Sequence, residues 1–133
     1  MKLGVEVFLE DGYKPFIGNR IGLVTNMTGV NQKLTPTIEL FVDHPGINLT
    51  ALYGPEHGIR GDAKEGEGVQ SSIDPYTSLP VYSLYGDSRK PTKEMLESVD
   101  VIVFDLQDIG SRYFTYIYTM AYVMEACGEQ GKQ

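Results

Sequence analysis

Apolar residues fall in short blocks, each followed by a polar, glycine-containing stretch. Arg20-Ile21-Gly22-Leu23-Val24-Thr25 reads as a first buried strand. Ile47-Asn48-Leu49-Thr50-Ala51-Leu52 predicts a second, running on to Tyr53. Leu79-Pro80-Val81-Tyr82-Ser83-Leu84 predicts a third, at an edge because proline cannot donate to a ladder. Val99-Asp100-Val101-Ile102-Val103-Phe104 is the strongest, a near-continuous apolar run suited to a parallel strand covered on both faces.

Helical patterns lie between them. Residues 4–10 predict a short helix ended by Asp11-Gly12. Thr35 is expected to cap a second helix, with Pro36 at its first position and Ile38, Leu40, Phe41 and Val42 on its buried face. His44-Pro45-Gly46 stops it. Pro91-Thr92 starts a third that contains Met95 and Leu96. A fourth is expected from about Ser111 to Cys127, with Gly128 as its stop. Residues 62–79 carry no periodicity and predict a long loop, a lid or a mobile segment. Strands alternating with helices predict an α/β domain whose sheet is mainly parallel.

At 133 residues and 41% hydrophobic, the chain is long and apolar enough for one domain with a core. Its formal charge of -7 and lack of any basic run argue against nucleic-acid or anionic-membrane binding. No stretch approaches the roughly 18 apolar residues of a membrane span, and the N-terminus lacks a signal-peptide core. Cys127 is the single cysteine, so compartment is left open. The end, Gly128-Glu129-Gln130-Gly131-Lys132-Gln133, falls where a turn into a further strand is expected, and the chain reads as the N-terminal portion of something longer.

The candidate chemistry sits in the loops after the strands. Tyr53-Gly54-Pro55-Glu56-His57-Gly58-Ile59-Arg60-Gly61 places a carboxylate and an imidazole side by side on a glycine-bent loop. Glu56 suits a general acid or base, with His57 as its neighbour or a substrate ligand. Alternatively, Glu56 binds loop amides and His57 a backbone carbonyl. The second cluster holds Asp105, Gln107, Asp108 and Arg112. Asp105, at the end of a strand, needs a partner, and Arg112 is a candidate. Asp108 and Arg112 are expected at the carboxyl edge of the sheet, beside the Glu56 loop. Asn26 and Thr28 either bind ligand hydroxyls or shape the turn after the first strand. Tyr113 and Tyr116 are placed for a ligand, while Phe114 and Tyr118 are expected in the core. His44 and His57 are the only histidines, with no ligand-spaced repeat, so no metal site is expected. Neither a P-loop nor Gly-x-Gly-x-x-Gly occurs.

Four pieces in order carry a family resemblance: Gly22-Leu23-Val24-Thr25-Asn26-Met27-Thr28-Gly29-Val30, Gly54-Pro55-Glu56-His57-Gly58-Ile59-Arg60-Gly61, Leu79-Pro80-Val81-Tyr82-Ser83-Leu84-Tyr85-Gly86, and Val103 to Tyr116. Together they resemble the exo-β-N-acetylmuramidase family of NamZ, the YbbC-like proteins once catalogued as a domain of unknown function. The resemblance implies a Rossmann-like N-terminal domain without a nucleotide or other cofactor, here residues 1–133 and incomplete, truncated before a smaller C-terminal domain. It implies hydrolysis of terminal non-reducing N-acetylmuramic acid from peptidoglycan fragments, in a cleft between the two domains. Glu56 matches the leading catalytic candidate and Asp108 is its expected partner; Asn26, His57, Gln107, Arg112 and Tyr113 are the expected substrate contacts. A glutamate acid needs a raised pKa through burial or a nearby carboxylate. The family allows a secreted, periplasmic or cytoplasmic location. A non-catalytic cell-wall sugar-binding module is the rival reading, and a nucleotide-binding domain a third. Apolar side chains on several faces of the last helix predict an exposed patch, so the isolated chain is expected to be catalytically silent and marginally stable or self-associating.

Overall fold

The computed structural model describes residues 1–56, 58–61, 72–86 and 88–133. Five strands form one sheet: β1 (Arg20–Thr25), β2 (Asn48–Gly54), β3 (Ser72–Ile73), β4 (Pro80–Ser83) and β5 (Val101–Asp105). Their spatial order is β3-β4-β2-β1-β5. β1 pairs in parallel with both β2 and β5, and β2 pairs in parallel with β4; only β3 is antiparallel. The parallel strands alone follow the order of the first half of a doubly wound sheet, and the fold is a Rossmann-like α/β fold.

Helices cover both faces. On one face α1 (Gly4–Val7), a following π-helical turn (Phe8–Gly12) and α2 (Thr37–Asp43) pack on Ile21, Leu23, Leu49, Leu52, Val81 and Val101. Phe8 stacks on Phe41 at 5.5 Å there. On the other face α3 (Lys93–Leu96) and α4 (Tyr116–Gln130) pack on Val24, Ala51, Tyr53 and Leu84. The pleat explains the split along β1: Ile21 and Leu23 point one way and Val24 the other. In β2, Leu49 and Leu52 share a face although they are three residues apart. A bulge resolves this: Ile21 pairs with Leu49 and Gly22 with Ala51, so Thr50 is extra. Its Oγ1 is satisfied by donating to the Ser98 carbonyl at 2.7 Å.

Several sequence expectations need correction. Pro36, not Thr35, holds the cap position of α2, and Val42 faces solvent. β4 is not the edge, because the two-residue β3 lies outside it within the stretch expected to be loop. Residues 62–71 of that stretch fall outside the described residues. β5 is the outermost named strand on its side, so Val101 is buried while Ile102 to Asp105 are only half-buried. Gln133 continues the pairing there: its N–H donates to the Asp100 carbonyl and its carbonyl accepts from the Ile102 N–H at 2.8 Å. α4 begins at Tyr116 and runs through Gly128. Gly131, with φ 64°, is its left-handed stop. The stripe of α4 facing the sheet is Thr119, Val123, Ala126 and Cys127. Ile117, Tyr118, Met120, Tyr122 and Met124 are exposed, which places the expected apolar patch on this helix. Among the described residues no helix is long and apolar enough to cross a membrane.

Packing is tight under β1. Tyr53 is fully buried, and its hydroxyl donates to the Met95 carbonyl at 2.6 Å. Burial pushes its phenol pKa up. The ring needs Gly22 beside it: a Cβ there would lie 2.7 Å from Ile102 Cδ1, 2.8 Å from Tyr53 Cε2 and 3.0 Å from Val99 Cγ1. Gly22→Ala is therefore expected to destabilise the domain by about 1–3 kcal/mol through overpacking. Urea unfolding followed by tyrosine fluorescence checks this, and an unchanged midpoint would contradict it.

Candidate active site

Because β2, β1 and β5 are parallel neighbours, the loops that follow them leave the same edge of the sheet. Glu56 stands two residues beyond β2, Asn26 one beyond β1 and Asp108 three beyond β5. Two cavities open there. The first, of about 370 Å³, is lined by Glu56, Leu84, Tyr85, Arg89, Thr115, Tyr118, Thr119 and Tyr122. The second, of about 720 Å³, includes Asp108, Arg112, Phe114, Tyr116 and Tyr118 in its wall. Glu56 and Asp108 thus belong to adjacent cavities, with Tyr118 in the wall of both. Their strands are separated by β1, so the loops start two strand spacings, about 10 Å, apart.

A polar network fills the space over β1. Asn26 is only 5% exposed. Its Nδ2 donates to Tyr116 Oη at 3.0 Å, and its Oδ1 accepts from the Thr28 N–H at 2.9 Å and the Thr28 hydroxyl at 2.6 Å. Thr28 Oγ1 in turn accepts from the Gln107 N–H at 3.1 Å. Asn26 therefore ties the β1 loop to the β5 loop and to the start of α4, and so shapes the turn after β1. Asp105 does not pair with Arg112. Its Oδ2 accepts from Thr37 Oγ1 at 2.5 Å, and Thr25 Oγ1 donates to its carbonyl at 2.9 Å. Arg112 is exposed in the second cavity, with no ion pair among the described residues. Asp108 accepts from the Gly110 N–H at 2.6 Å, which shapes its own loop.

Tyr113 is 94% exposed and lines neither cavity, because α4 starts later than expected and leaves it on the preceding turn. Gln107 is also exposed. Tyr118, expected in the core, is 63% exposed and faces both cavities, one position away from the buried stripe. Phe114 is half-buried, edge-on to Tyr116 at 5.5 Å. His57 lies outside the described residues. Among the described residues no group of three or more His, Cys, Asp or Glu side chains could hold a metal ion. Sequence reasoning did not single out Tyr85, Arg89, Thr115, Thr119 or Tyr122 as a group. The available signals were the motif that ends in Tyr85-Gly86 and the one from Val103 to Tyr116, which contains Thr115.

The Glu56 loop is held by an ion pair. Gly58 and Gly61 both have positive φ, 74° and 73°, which lets the chain double back. The turn delivers Arg60 to Asp74: Nε to Oδ1 and a terminal nitrogen to Oδ2, each at 3.0 Å. Thr77 adds its N–H and hydroxyl to Asp74 Oδ2, and the guanidinium lies 4.5 Å from the Tyr76 ring centroid. The Asp74 side chain is 1% exposed and that of Arg60 24%. Burial alone would raise the Asp74 pKa. The hydrogen bonds from Arg60 and Thr77 outweigh it and hold the carboxyl below its ordinary 3.8. A folded-state pKa that is depressed stabilises the fold fully above the unfolded value, and the gain is lost as pH falls through the folded value. Stability is thus expected to fall below about pH 4, and Asp74→Asn should flatten that dependence. Asp74→Ala, which strands Arg60 and Thr77, should cost about 3 kcal/mol. Urea midpoints at pH 6 and pH 3 check both. Asn26→Ala should cost about 1–3 kcal/mol by orphaning Tyr116 and Thr28. Chemical denaturation of that variant reads it.

The family model described as exo-β-N-acetylmuramidase NamZ, N-terminal, matches residues 21–133. The chain is 53% identical over 131 residues to the peptidoglycan β-N-acetylmuramidase NamZ of Bacillus subtilis (strain 168), covering 98% of this chain and 32% of that relative. It is similar to a crystal structure of a DUF1343 family protein from Bacteroides fragilis NCTC 9343, with TM-score 0.90 and 52% identity. A second protein of that family from the same organism gives TM-score 0.78 and 28% identity. Each structural match covers 99% of this chain and 33% of the other. The chain therefore spans about a third of the length of these relatives. It belongs to the NamZ exo-β-N-acetylmuramidase family and corresponds to that family's N-terminal part.

Proposed function

We propose that this chain carries the acid-bearing wall of a glycoside hydrolase that releases terminal non-reducing N-acetylmuramic acid from peptidoglycan fragments. The observation that supports it most is Glu56, from the glycine-bent loop, lining a ligand-sized cavity between Tyr85, Tyr118 and Tyr122. Tyrosine rings offer apolar faces to a sugar and hydroxyls to its polar rim. In this reading Glu56 donates a proton to the glycosidic oxygen as the bond to the anomeric carbon breaks. Asp108 is the second carboxylate, reaching the sugar from the adjacent cavity, with Arg112 and Gln107 beside it. His57 completes the set as Glu56's neighbour. The facing wall would come from a second domain, in the part of the longer relatives that has no counterpart here. On that view residues 1–133 alone bind weakly and turn nothing over.

One observation favours the rival reading, a sugar-binding module: among the described residues no second carboxylate lines the Glu56 cavity. A chimaera in which residues 1–133 replace the matching third of the Bacillus subtilis relative separates the two. Hydrolysis of a chromogenic N-acetylmuramic acid glycoside is expected, and Glu56→Gln should lower kcat by about 10²–10⁴-fold with an unchanged thermal midpoint. Near-normal turnover by Glu56→Gln would remove the residue from the role. Sugar binding that survives Glu56→Ala, with no hydrolysis by the unsubstituted chimaera, would establish the binding module instead.

A further inference from the structure

The cavity that holds Glu56 is also lined by a cation, Arg89, that has no acidic partner among the described residues. Of the arginines, Arg20 is tied to Asp100 and Arg60 to Asp74. Arg89 has no ion pair or side-chain hydrogen bond among the described residues, although the chain carries a net charge of -7. Its neighbour shows the contrast. Lys90 Nζ reaches Glu129 at 2.7 Å and Glu125 at 3.2 Å, both on α4. The segment is also fixed at its start, where the Leu84 N–H donates to the Gly54 carbonyl at 2.8 Å. Pro91 is buried behind it, and Ser88 Oγ donates to the Lys90 carbonyl at 2.7 Å. The described residues of this segment are therefore held to β2 at one end and α4 at the other, and Arg89 between those ties lines the cavity.

N-acetylmuramic acid differs from N-acetylglucosamine by one group, a lactyl ether on O3 that ends in a carboxylate. A planar guanidinium matches a carboxylate with two parallel hydrogen bonds. Resting on the proposed function above, we propose that Arg89 is the specificity-determining residue of this site, binding the lactyl carboxylate and so selecting the sugar acid over the neutral sugar. Thr115, at the start of α4, lines the same cavity, so the positive end of that helix adds to the same preference. Arg112, in the adjacent cavity, is the competing cation. Arg89 is chosen because it shares its cavity with Glu56.

The experiment compares wild type, Arg89→Gln, Arg89→Lys and Arg112→Gln. N-acetylmuramic acid and N-acetylglucosamine are titrated against the 133-residue chain by saturation-transfer NMR, and used as inhibitors of the chimaera. Wild type should prefer the acid sugar by about ten- to a hundredfold, the range of a charge-assisted hydrogen bond. Arg89→Gln should abolish the preference by weakening the acid sugar alone, with affinity for the neutral sugar unchanged. Arg89→Lys should restore part of it, and Arg112→Gln should keep it. Raised salt should shrink the wild-type preference, since the side chain is exposed. Equal affinity for the two sugars in wild type overturns the inference, as does a preference kept in Arg89→Gln or lost in Arg112→Gln. A chimaera that shows the Arg89-dependent preference yet hydrolyses nothing would defeat the hydrolase reading and leave the recognition standing. Thermal midpoints show that each variant is folded.

Discussion

Parallel pairing of β1 on both sides is the constraint on which the site depends. With β2 and β5 hydrogen-bonded to it in the same direction, three consecutive loops must emerge on one edge. Reverse any one of them and Glu56, Asn26 and Asp108 would part company. The pairing is itself conditional on what lies beneath it. Gly22 lets the Tyr53 ring close against Ile102 and Val99, and the Thr50 bulge brings Leu49 and Leu52 to the same face. Local choices in two strands thus settle where these three loops emerge.

In doubly wound sheets the ligand crevice usually lies where the strand order reverses, here between β1 and β5. On the proposed reading only Asp108 and its cavity flank that position. The chain Tyr116–Asn26–Thr28–Gln107 draws its hydrogen bonds across that position, and Asp105 is engaged with Thr37 just below. The cavity with the acid lies on the other side, over β2 and β4, where Glu56, Leu84 and Tyr85 line it.

The three long strands were legible because each concentrates apolar residues in a short block, contiguous in β5 and broken by Thr50 in β2. The Glu56 loop was legible because glycines and a proton-transfer pair stand together. β3 was not: two residues show no period, and their neighbourhood is organised by Asp74, whose partner Arg60 is fourteen residues away. The start of α4 was misplaced because Ser111 to Thr115 continue the aromatic run, yet positive φ at Gly110 and a turn from the Phe114 N–H to the Ser111 carbonyl hold them outside the helix. Gly128 looked like a stop and is not one, since it keeps a negative φ inside the helix while Gly131 takes the left-handed conformation. Arg89 left no trace in the pattern. A single exposed arginine on a loop acquires meaning only from the cavity it faces.

The two sides of the sheet differ in a way that bears on assembly. Beyond β4 lies β3, too short to offer a ladder to another chain. On the far side, β5 takes one further residue, Gln133, along its outer rim, with half-buried Ile102 and Phe104 and the methionines of α4 around the groove there. The two hydrogen bonds that Gln133 makes on either side of Val101 have the pattern of a parallel pairing, so the outer rim of β5 is engaged with the polarity of the strands inside it.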